Sequence, residues 1–336
     1  MKYVSDIIPW RLTNISLRPF KGFYSFNPSI HFDGEKWRCV MRNCDYHAKG
    51  GEYAVKNGRI ITRNALVTFN PSTWEPSSLV EMREIDSLQR YPTSEWGYED
   101  MRLFIAGGKL RGVATTAQLR PEPQQEIVLV DFDEDSNICN AEPVRGSWSN
   151  YAQKNWTPYD GTTETRLVYS IDQGIVLLPE NDLSDYVPDI IQESKIEATE
   201  THRPHSRGGV DTIVFSKPRS NVGIPKKTGY DWSPTKGLRG GSQVIRVGDL
   251  WLGIGHEMKF QGGKKLYWHR FYLLSEAGKK IAESDNFKLS DFGIEFAAGI
   301  ARDGENVVIS YGTEDRDSWL GTTKLNAILE MIKPCS

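Results

Sequence analysis

The feature that most constrains this chain is a strand–turn–strand pattern that recurs five times. The copies are "FNPSIHFDGEKWRCVMRNCDY" (26–46), "YEDMRLFIAGGKLRGVATTAQ" (98–118), "KNWTPYDGTTETRLVYSIDQGIVLL" (154–178), "RGGSQVIRVGDLWLGIGHEMKF" (239–260) and "IEFAAGIARDGENVVISYGTED" (294–315). In each copy a strand with polar residues at its head leads through a turn rich in Gly, Asp or Asn into a second apolar strand. Such turns supply the positive φ angles that tight hairpins require. Each copy is therefore predicted to be a β-hairpin.

The spacing of the copies indicates how the hairpins assemble. They begin at Phe26, Tyr98, Lys154, Arg239 and Ile294, so the steps are 72, 56, 85 and 55 residues. Each step has room for about four strands, the content of one propeller blade. Helical periodicity is nearly absent apart from "TTKLNAILEMI" near the C-terminus. We predict an all-β fold, a single five-bladed β-propeller domain over residues 1–336 with a central active-site funnel; a two-domain β-sandwich is the alternative.

Charge and composition give no indication of nucleic-acid binding, a membrane span or a metal site. The net charge of -3 makes no overall case for binding nucleic acid. No apolar run approaches the roughly 20 residues of a spanning helix, and "MKYVSDIIPWRL" lacks the features of a signal peptide. We therefore predict a cytoplasmic protein without a membrane span. No His or carboxylate pair has metal-ligand spacing, and no cofactor is indicated.

One long polar segment departs from the repeat, at about residues 180–238. Between Arg203 and Arg239 there are eight Lys or Arg residues against two acids, Asp211 and Asp231. A loop of this length is typical of a lid, a binding loop or a disordered excursion. An anionic polymer is one partner that it could bind, and a solvated basic loop is the alternative.

In a propeller the heads of the first strands and the ends of the second strands meet around one axis. Polar residues at the heads of the first strands are Asn27, Glu99, Asp100, Arg102, Lys154, Asn155, Arg239, Ser242 and Glu295. Polar residues just past the second strands are Arg42, Asn43, Asp45, Asp172, His256, Tyr311 and Asp315. Mixed carboxylates and cations suit a ligand with both hydroxyls and a phosphate-like anion. We predict Arg239 at the phosphate, and we predict sugar contacts for Asn27, Arg102, Asn155, Asp172, Glu295 and Tyr311. The alternatives are a strand-end ion pair of Glu99 or Asp100 with Arg102, and a satisfied core histidine at position 256.

These residue types fit displacement at an anomeric carbon. That reaction needs a group that manages the proton of the leaving or attacking oxygen. An inverting hydrolase uses two carboxylates with water between them, whereas a phosphorylase or nucleotide-sugar transferase replaces one carboxylate with a cationic pocket. The excess of Arg, Lys and His favours the phosphate-handling chemistry. Hydrolysis stays open because Glu257 and Glu295 are available as bases.

Several short motifs together resemble one known family. They are "NPSI", "VMRNCDY", "ITRN", "YEDMRLF", "KNWTPY", "YSID", "RGGS", "GIGHE" and "IEFAAGI…ISYGTED", which run from about residue 21 to 325. The chain resembles the β-mannoside phosphorylases of glycoside hydrolase family 130 and the mannosyltransferases related to them. It is more similar to predicted bacterial glycosyltransferases that share the asparagine-proline, "EDxRLF" and "KNW" signatures.

The resemblance implies a five-bladed propeller with its site at the axis. It implies that Asp100 donates a proton to the departing oxygen, and that Arg42, Lys154 and His256 hold a phosphate or the phosphoryl part of a donor. It also implies that Asp315, with Asn43 or Asp45, holds sugar hydroxyls. We therefore predict an inverting glycosyltransferase that uses a phosphate-linked or nucleoside-diphosphate sugar donor and a carbohydrate acceptor. A β-mannoside phosphorylase or hydrolase and a non-catalytic carbohydrate-binding propeller are the alternatives.

Overall fold

Antiparallel β-sheets make up almost all of the structure. A computed structural model describes residues 2–46, 58–146, 149, 152–179, 237–261, 264–291 and 293–335, together with 48, 49, 52, 53 and 55. The sheets form a five-bladed β-propeller, which confirms the predicted fold class. A central funnel is not tested by this architecture and stays a prediction.

The first three blades follow one another along the chain. A 3-10 turn at Val4–Asp6 and strand β1 (Arg11–Asn14) come before them. The strands of the first blade are β2 (Tyr24–Phe32), β3 (Trp37–Cys44), β6 (Ile60–Phe69) and β7 (Pro76–Met82), with β8 (Glu95–Trp96) beside β6 and a small pair formed by β4 (Ala48–Lys49) and β5 (Glu52–Tyr53). The second blade contains β9 (Glu99–Ala106), β10 (Lys109–Thr116), β11 (Glu126–Phe132) and β12 (Ile138–Pro143). The third contains β13 (Thr157–Pro158), β14 (Leu167–Ser170) and β15 (Ile175–Leu177).

The fourth and fifth blades hold both ends of the chain. The strands of the fourth blade are β16 (Arg239–Gly240), β17 (Ile245–Val247), β18 (Leu250–Gln261), β19 (Lys264–Leu274), β20 (Lys280–Ser284) and the C-terminal β24 (Ile332–Pro334). The fifth contains β21 (Glu295–Asp303), β22 (Asn306–Thr313) and β23 (Asp317–Lys324), and β1 completes it as the outermost strand. The predicted C-terminal helix is confirmed as α1 (Leu325–Met331). The ring is therefore closed by a strand from the start of the chain.

The hairpin turns form as their residues predict. Gly107 and Gly108 both have positive φ, 57° and 73°, which is the geometry of a tight type I′ turn between β9 and β10. In the first hairpin, Asp33 Oδ1 accepts hydrogen bonds from the backbone N–H groups of Glu35 (3.0 Å) and Lys36 (2.8 Å). These turns set the register of the hairpins and so fix which polar residues lie at the strand ends.

Apolar side chains fill the space between neighbouring blades. Phe104 and Leu167 pack together between the second and third blades, and Phe271, Ile300 and Ile309 pack between the fourth and fifth. All five are fully buried. Burial of this kind stabilises a fold by about 25 cal/mol per Å² of apolar surface. The packed faces hold each innermost strand at a fixed angle to the axis.

Polar side chains link the innermost strands to one another. Buried Gln243 donates from Nε2 to the carbonyls of Ile30 and Ile300, each at 2.7 Å, so it ties the fourth blade to the first and fifth. Ser29 Oγ accepts a hydrogen bond from the backbone N–H of Leu103 at 3.0 Å, which ties the first blade to the second. These bonds satisfy backbone groups that the sheets leave unpaired at the axis.

The fold does not test three of the predictions. Nearly all of the basic segment predicted at 180–238 lies outside the described residues, and with it the anionic polymer partner. The single domain over residues 1–336 and the cytoplasmic location are not tested. Within the described parts of the chain, no helix is both long and apolar enough to cross a membrane.

Candidate active site

Three polar residues with unusual backbone angles mark the site. Asn27, Asp100 and Asn155 have positive φ, at 48°, 47° and 63°; Asn27 and Asp100 lie within β2 and β9, and Asn155 lies two residues before β13. Asn and Asp tolerate this left-handed region better than other residues with side chains. The strand ladders are irregular at the first two positions, between Phe26 and Ser29 and opposite Asp100. The kinked backbone brings these side chains together from neighbouring blades.

Asp100 is the centre of this cluster. Its Oδ1 accepts hydrogen bonds from Asn27 Nδ2 and Arg42 Nη1, both at 2.9 Å, and its side chain is 16% exposed. Burial alone would raise the pKa of Asp100, but the charges of Arg42 and Arg102 lower it to about 2. In the ligand-free protein this carboxyl is therefore ionised at neutral pH and can accept a proton.

Arg42 and Lys154 are held by a second carboxylate, Glu99. Arg42 Nη2 lies 3.3 Å from Glu99 Oε1, and Lys154 Nζ lies 3.3 Å from Glu99 Oε2. Burial opposes the charge of Lys154, and the neighbouring Glu99 raises its pKa above the ordinary value. The Lys154 side chain is 35% exposed, so part of it is open to solvent. Two cations are thus fixed beside Asp100.

Arg102 lies beneath this cluster and is only 1% exposed. Its guanidinium donates to the carbonyls of Gly241 (2.7 Å) and Asp100 (3.0 Å) and to Asn155 Oδ1 (3.0 Å). Burial lowers the pKa of Arg102 to about 10. These bonds join the second blade to the third and fourth. The ion-pair alternative for Asp100 thus involves Arg42 through side-chain contact, whereas Arg102 reaches the Asp100 backbone.

His256 contributes an uncharged imidazole. It is 2% exposed and lies between the rings of Tyr267 and Phe296, with centroid separations of 5.5 and 4.9 Å. Burial, together with His269 and Arg239 nearby, holds the pKa of His256 well below its ordinary value. Its Nδ1 is buried and has no hydrogen-bond partner among the described residues. A buried unpartnered nitrogen of this kind suits contact with a ligand. Arg239 faces His256 directly across β16 and β18.

Asp315 is a second aspartate whose charge interacts with that of Asp100. It follows Glu314, and both have positive φ, 48° and 51°. Burial raises the pKa of Asp315 to about 6; the charge of Arg42 opposes this shift and that of Asp100 adds to it. The cluster therefore contains two aspartates whose environments move their pKa values in opposite directions, as in acid–base pairs of enzymes.

Several other predicted sugar ligands form hydrogen bonds or ion pairs within the protein. Buried Asn43 accepts from Ser25 Oγ (2.6 Å) and donates to the Met41 carbonyl (2.8 Å). Asp45 accepts from the backbone N–H of Ile61 at 2.9 Å. Asp172 accepts from the backbone N–H of Leu238 (2.7 Å) and from Lys280 Nζ (2.5 Å), so it anchors the entry to the fourth blade.

Glu295 and Tyr311 are also placed apart from the contacts around Asp100. Glu295 is fully buried and accepts from the backbone N–H groups of Leu289 and Ser290, both at 2.9 Å. Tyr311 is 1% exposed and lines a cleft at the outer edge of the fifth blade. A sugar-binding role for Asn43, Asp45, Asp172, Glu295 and Tyr311 stays a prediction.

The structure places further residues near Asp100 and Asp315. Glu99, which the strand-end pattern does place at a strand head, holds the two cations. Tyr46, Tyr267 and Lys265, which that pattern does not select, are close enough to Asp315 to interact with it electrostatically. Tyr267 and Lys265 lie on β19, the strand after the recurring hairpin, where the repeat pattern gives no signal. Tyr46 ends its hairpin, and its position two residues beyond β3 was the one available clue.

Comparison with known proteins confirms the resemblance at the level of the fold. A β-1,2-mannobiose phosphorylase from Listeria innocua shares 12% identity, with a TM-score of 0.50 and 98% of each chain covered. A glycosyl hydrolase from Bacteroides ovatus shares 14% identity, with a TM-score of 0.54 over 94% of this chain and 86% of that one. A member of the GH130 family of mannoside phosphorylases, which contains glycoside hydrolases that target β-1,2-mannosidic linkages in Candida mannan, also shares 14% identity, with a TM-score of 0.53 over the same shares.

Searches at the level of sequence gave no match. No family model and no curated protein matches this chain. The structural likenesses are below 25% identity and therefore establish the propeller fold alone.

Proposed function

We propose that this protein is a carbohydrate-active enzyme that transfers a glycosyl group with inversion between a phosphate-bearing partner and a hydroxyl group. Within that class we favour a glycosyltransferase with a phosphate-linked sugar donor. The observation that carries the proposal is the ionised carboxylate of Asp100 held beside Arg42 and Lys154. A single proton-managing carboxylate next to fixed cations suits a reaction in which phosphate is a leaving group or nucleophile.

The proposed step can be written with its atoms in balance. The acceptor hydroxyl oxygen attacks the anomeric carbon, and the bond from that carbon to the phosphate oxygen breaks. The electron pair leaves on the phosphate, where Arg42, Lys154 and the neutral His256 stabilise the charge. The hydroxyl proton passes to Asp100, which is ionised and able to receive it. In the reverse direction, Asp100 returns the proton to the departing oxygen.

A bound phosphate would prepare Asp100 for both directions. The pKa of Asp100 is low because Arg42 and Arg102 are close to it. An anion that pairs with Arg42 and Lys154 offsets part of that positive charge, so the pKa of Asp100 rises toward the range in which it can exchange a proton. Release of the anion reverses the change. The role of Asp100 in handling the proton is thus coupled to occupancy of the anion site.

A β-mannoside phosphorylase is the second candidate, and the fold shared with the Listeria innocua phosphorylase favours it. The deciding experiment offers nucleoside-diphosphate sugars and sugar 1-phosphates with hydroxyl acceptors, and mannobioses with inorganic phosphate. Release of nucleoside diphosphate supports transfer from a nucleotide sugar. Formation of mannose 1-phosphate supports phosphorolysis, and release of mannose without phosphate supports hydrolysis. Sugar binding without turnover under every condition would leave a non-catalytic carbohydrate-binding propeller.

A further inference from the structure

A second concave site lies at the outer edge of the propeller, where the fifth blade faces the segment that enters it. The cleft has a volume of about 260 Å³. Its principal lining residues are Tyr3, Trp10, Leu12, Leu289, Tyr311 and Trp319. None of them takes part in the contacts described around Asp100, so the cleft is a separate feature of the molecule.

The strand register explains why aromatic rings collect here. Tyr311 on β22 lies directly opposite Trp319 on β23, and Leu12 on β1 lies opposite Gly321 on β23. Side chains of opposite residues share one face of a sheet. Gly321 leaves room on that face, and the indole of Trp10 occupies it; a Cβ at this position would collide with the Trp10 ring. The result is a continuous wall of two tryptophans and a tyrosine.

This face of the fifth blade is fully buried near the axis and partly exposed at its outer edge. Toward the axis, Ile300 and Ile309 pack against Phe271 and are fully buried. At the edge, Trp10 and Trp319 are only partly buried, and Leu12 is 46% exposed. This partly exposed end of the face is a concave aromatic surface large enough for a small ligand.

Polar groups at defined places distinguish this cleft from a simple packing gap. Trp10 Nε1 is buried and has no hydrogen-bond partner among the described residues. Asp291 lies on the rim and is exposed. The wall that carries it is held by Glu295, whose carboxylate accepts from Ser290 Oγ at 2.7 Å as well as from the backbone. The unpartnered N–H of Trp10, the carboxylate of Asp291 and the wall held by Glu295 together favour a ligand with several hydroxyl groups.

We propose that this cleft binds a hexose residue of a glycan, as an accessory site apart from the Asp100 cluster. The C–H groups of a pyranose ring pack on the faces of Trp10 and Trp319. Trp10 Nε1 donates to one hydroxyl, and Asp291 accepts from others. A purely apolar ligand would leave the indole donor unpartnered, and a phosphate would meet the Asp291 carboxylate. The proposal rests on the protein acting on carbohydrates, but it does not depend on which reaction occurs.

The test follows the indole N–H signals of the ten tryptophans by NMR while methyl hexosides of the gluco, manno and galacto series, and their disaccharides, are added. We expect one series to shift the Trp10 and Trp319 signals saturably. Trp10→Phe, which keeps a ring but removes the donor, and Trp319→Phe should weaken this binding by up to about tenfold. Trp74→Phe is the matched control, because Trp74 packs on Trp37 in the first blade.

The outcomes separate this proposal from the catalytic one. If no sugar shifts the two signals, or if both Phe variants bind as tightly as the parent protein, the accessory site is wrong whatever the enzyme does. Turnover of small substrates is measured on the same variants and should be unchanged. If the signals shift saturably but no donor or phosphate gives turnover, the accessory site stands and the proposed reaction falls.

Discussion

The centre and the outer edge of this propeller offer two different ways of recognising a ligand. At the centre, ionised groups from the first three blades touch one another around Asp100. At the edge, one sheet presents aromatic rings, and the charged group that lines the cleft lies on its rim. Partly buried charges must be paired or they destabilise the fold. The axis is where enough blades meet to pair them, whereas an aromatic wall needs only one blade and its neighbour.

The two regions also differ in their backbone. Asn27, Asp100 and Asn155 each adopt the left-handed region, which costs on the order of 1 kcal/mol for a residue with a side chain. In the outer cleft, Tyr311 and Trp319 lie on strands that pair without a register shift, with Gly321 supplying the space. Backbone strain at the centre is expected where side chains are held in position for a reaction. Regular strand pairing at the edge is typical of a surface that binds a ligand without reacting with it. The following predictions test this division.

Asp100→Asn should have the largest effect. We expect turnover to fall by about 10²- to 10⁴-fold, because the amide cannot accept the proton in the chemical step. The fold should persist, since Asn tolerates the backbone angle at this position. Sugar binding at the outer cleft should not change. Initial rates beside a thermal melt make the measurement; a large loss of stability with activity per folded molecule intact would mean that Asp100 serves only as a strand-end ion pair.

Lys154→Ala should weaken anion binding at the centre. Loss of one charge-assisted hydrogen bond is worth about 1.5–3 kcal/mol, or roughly 10- to 100-fold in affinity. Calorimetric titration with phosphate and with a nucleoside diphosphate measures this loss. Lys226→Ala combined with Lys227→Ala is the control, because these residues belong to the basic segment. If affinity survives at Lys154→Ala but disappears in the control, anions bind at the segment and not at the centre.

The two aspartates of the centre should give opposite dependences of stability on pH. The pKa of Asp315 is raised from an ordinary 3.8 to about 6, so its contribution to stability is greatest below 3.8 and is lost as pH rises through 6. The pKa of Asp100 is lowered to about 2, so its contribution is present above 3.8 and is lost as pH falls toward 2. Asp315→Asn should therefore gain stability relative to the parent between pH 4 and 8, on the order of 1 kcal/mol after allowance for solvent screening.

Urea unfolding of the parent, Asp315→Asn and Asp100→Asn from pH 2 to pH 8 measures both effects. Asp100→Asn is the internal control, because its difference from the parent should grow in the destabilising direction as pH rises from 2 to 4. Parallel stability curves for the parent and Asp315→Asn would show that Asp315 titrates normally.

Gly321→Ala should have the smallest effect and should be confined to the edge. The new methyl group displaces the Trp10 indole, so we expect a loss of melting temperature of a few degrees, since about 1 kcal/mol of packing is disturbed. Sugar binding at the cleft should weaken, with turnover of small substrates intact. Thr322→Ala, at the next position on the same strand, is the control. An equal loss of turnover would contradict the independence of the two regions.

The sequence contained most of the fold because local turn chemistry specifies hairpins. Asp33-Gly34 and Gly107-Gly108 determine their turns through their own side chains and φ angles. The pairing of β1 with β23 carried no such signal, because it joins Arg11–Asn14 to residues 319–322 at the other end of the chain. A four-residue strand without a turn beside it cannot be assigned a partner from pattern alone.

The site was partly predictable for a related reason. Strand ends converge at the axis, so Asp100, Arg42, Lys154 and His256 could be grouped from the sequence. Arg42 contacts Asp100 directly, and Lys154 is held beside it through Glu99. His256 is near enough to Asp100 to be influenced by its charge, and the roles of all four stay predictions. A polar residue at a strand end can equally satisfy the backbone, as Glu295 does for Leu289 and Ser290. Residue type and position along the strand do not distinguish a ligand-binding side chain from one that satisfies the backbone. The hydrogen-bond partners in the structure make that distinction.

Closure of the ring by β1 also has a consequence for how the protein is made. The fifth blade cannot be completed until β23 has been synthesised, about 300 residues after β1. Until then the edge of β1 stays unpaired in the growing chain, and contacts of such long sequence separation form slowly. We expect the last slow phase of refolding to report the docking of β1. A chain cut between Lys21 and Gly22, in the exposed turn after β1, and joined from its end to its beginning would place β1 shortly after β23. The late encounter would then become a local one, and that phase should shorten.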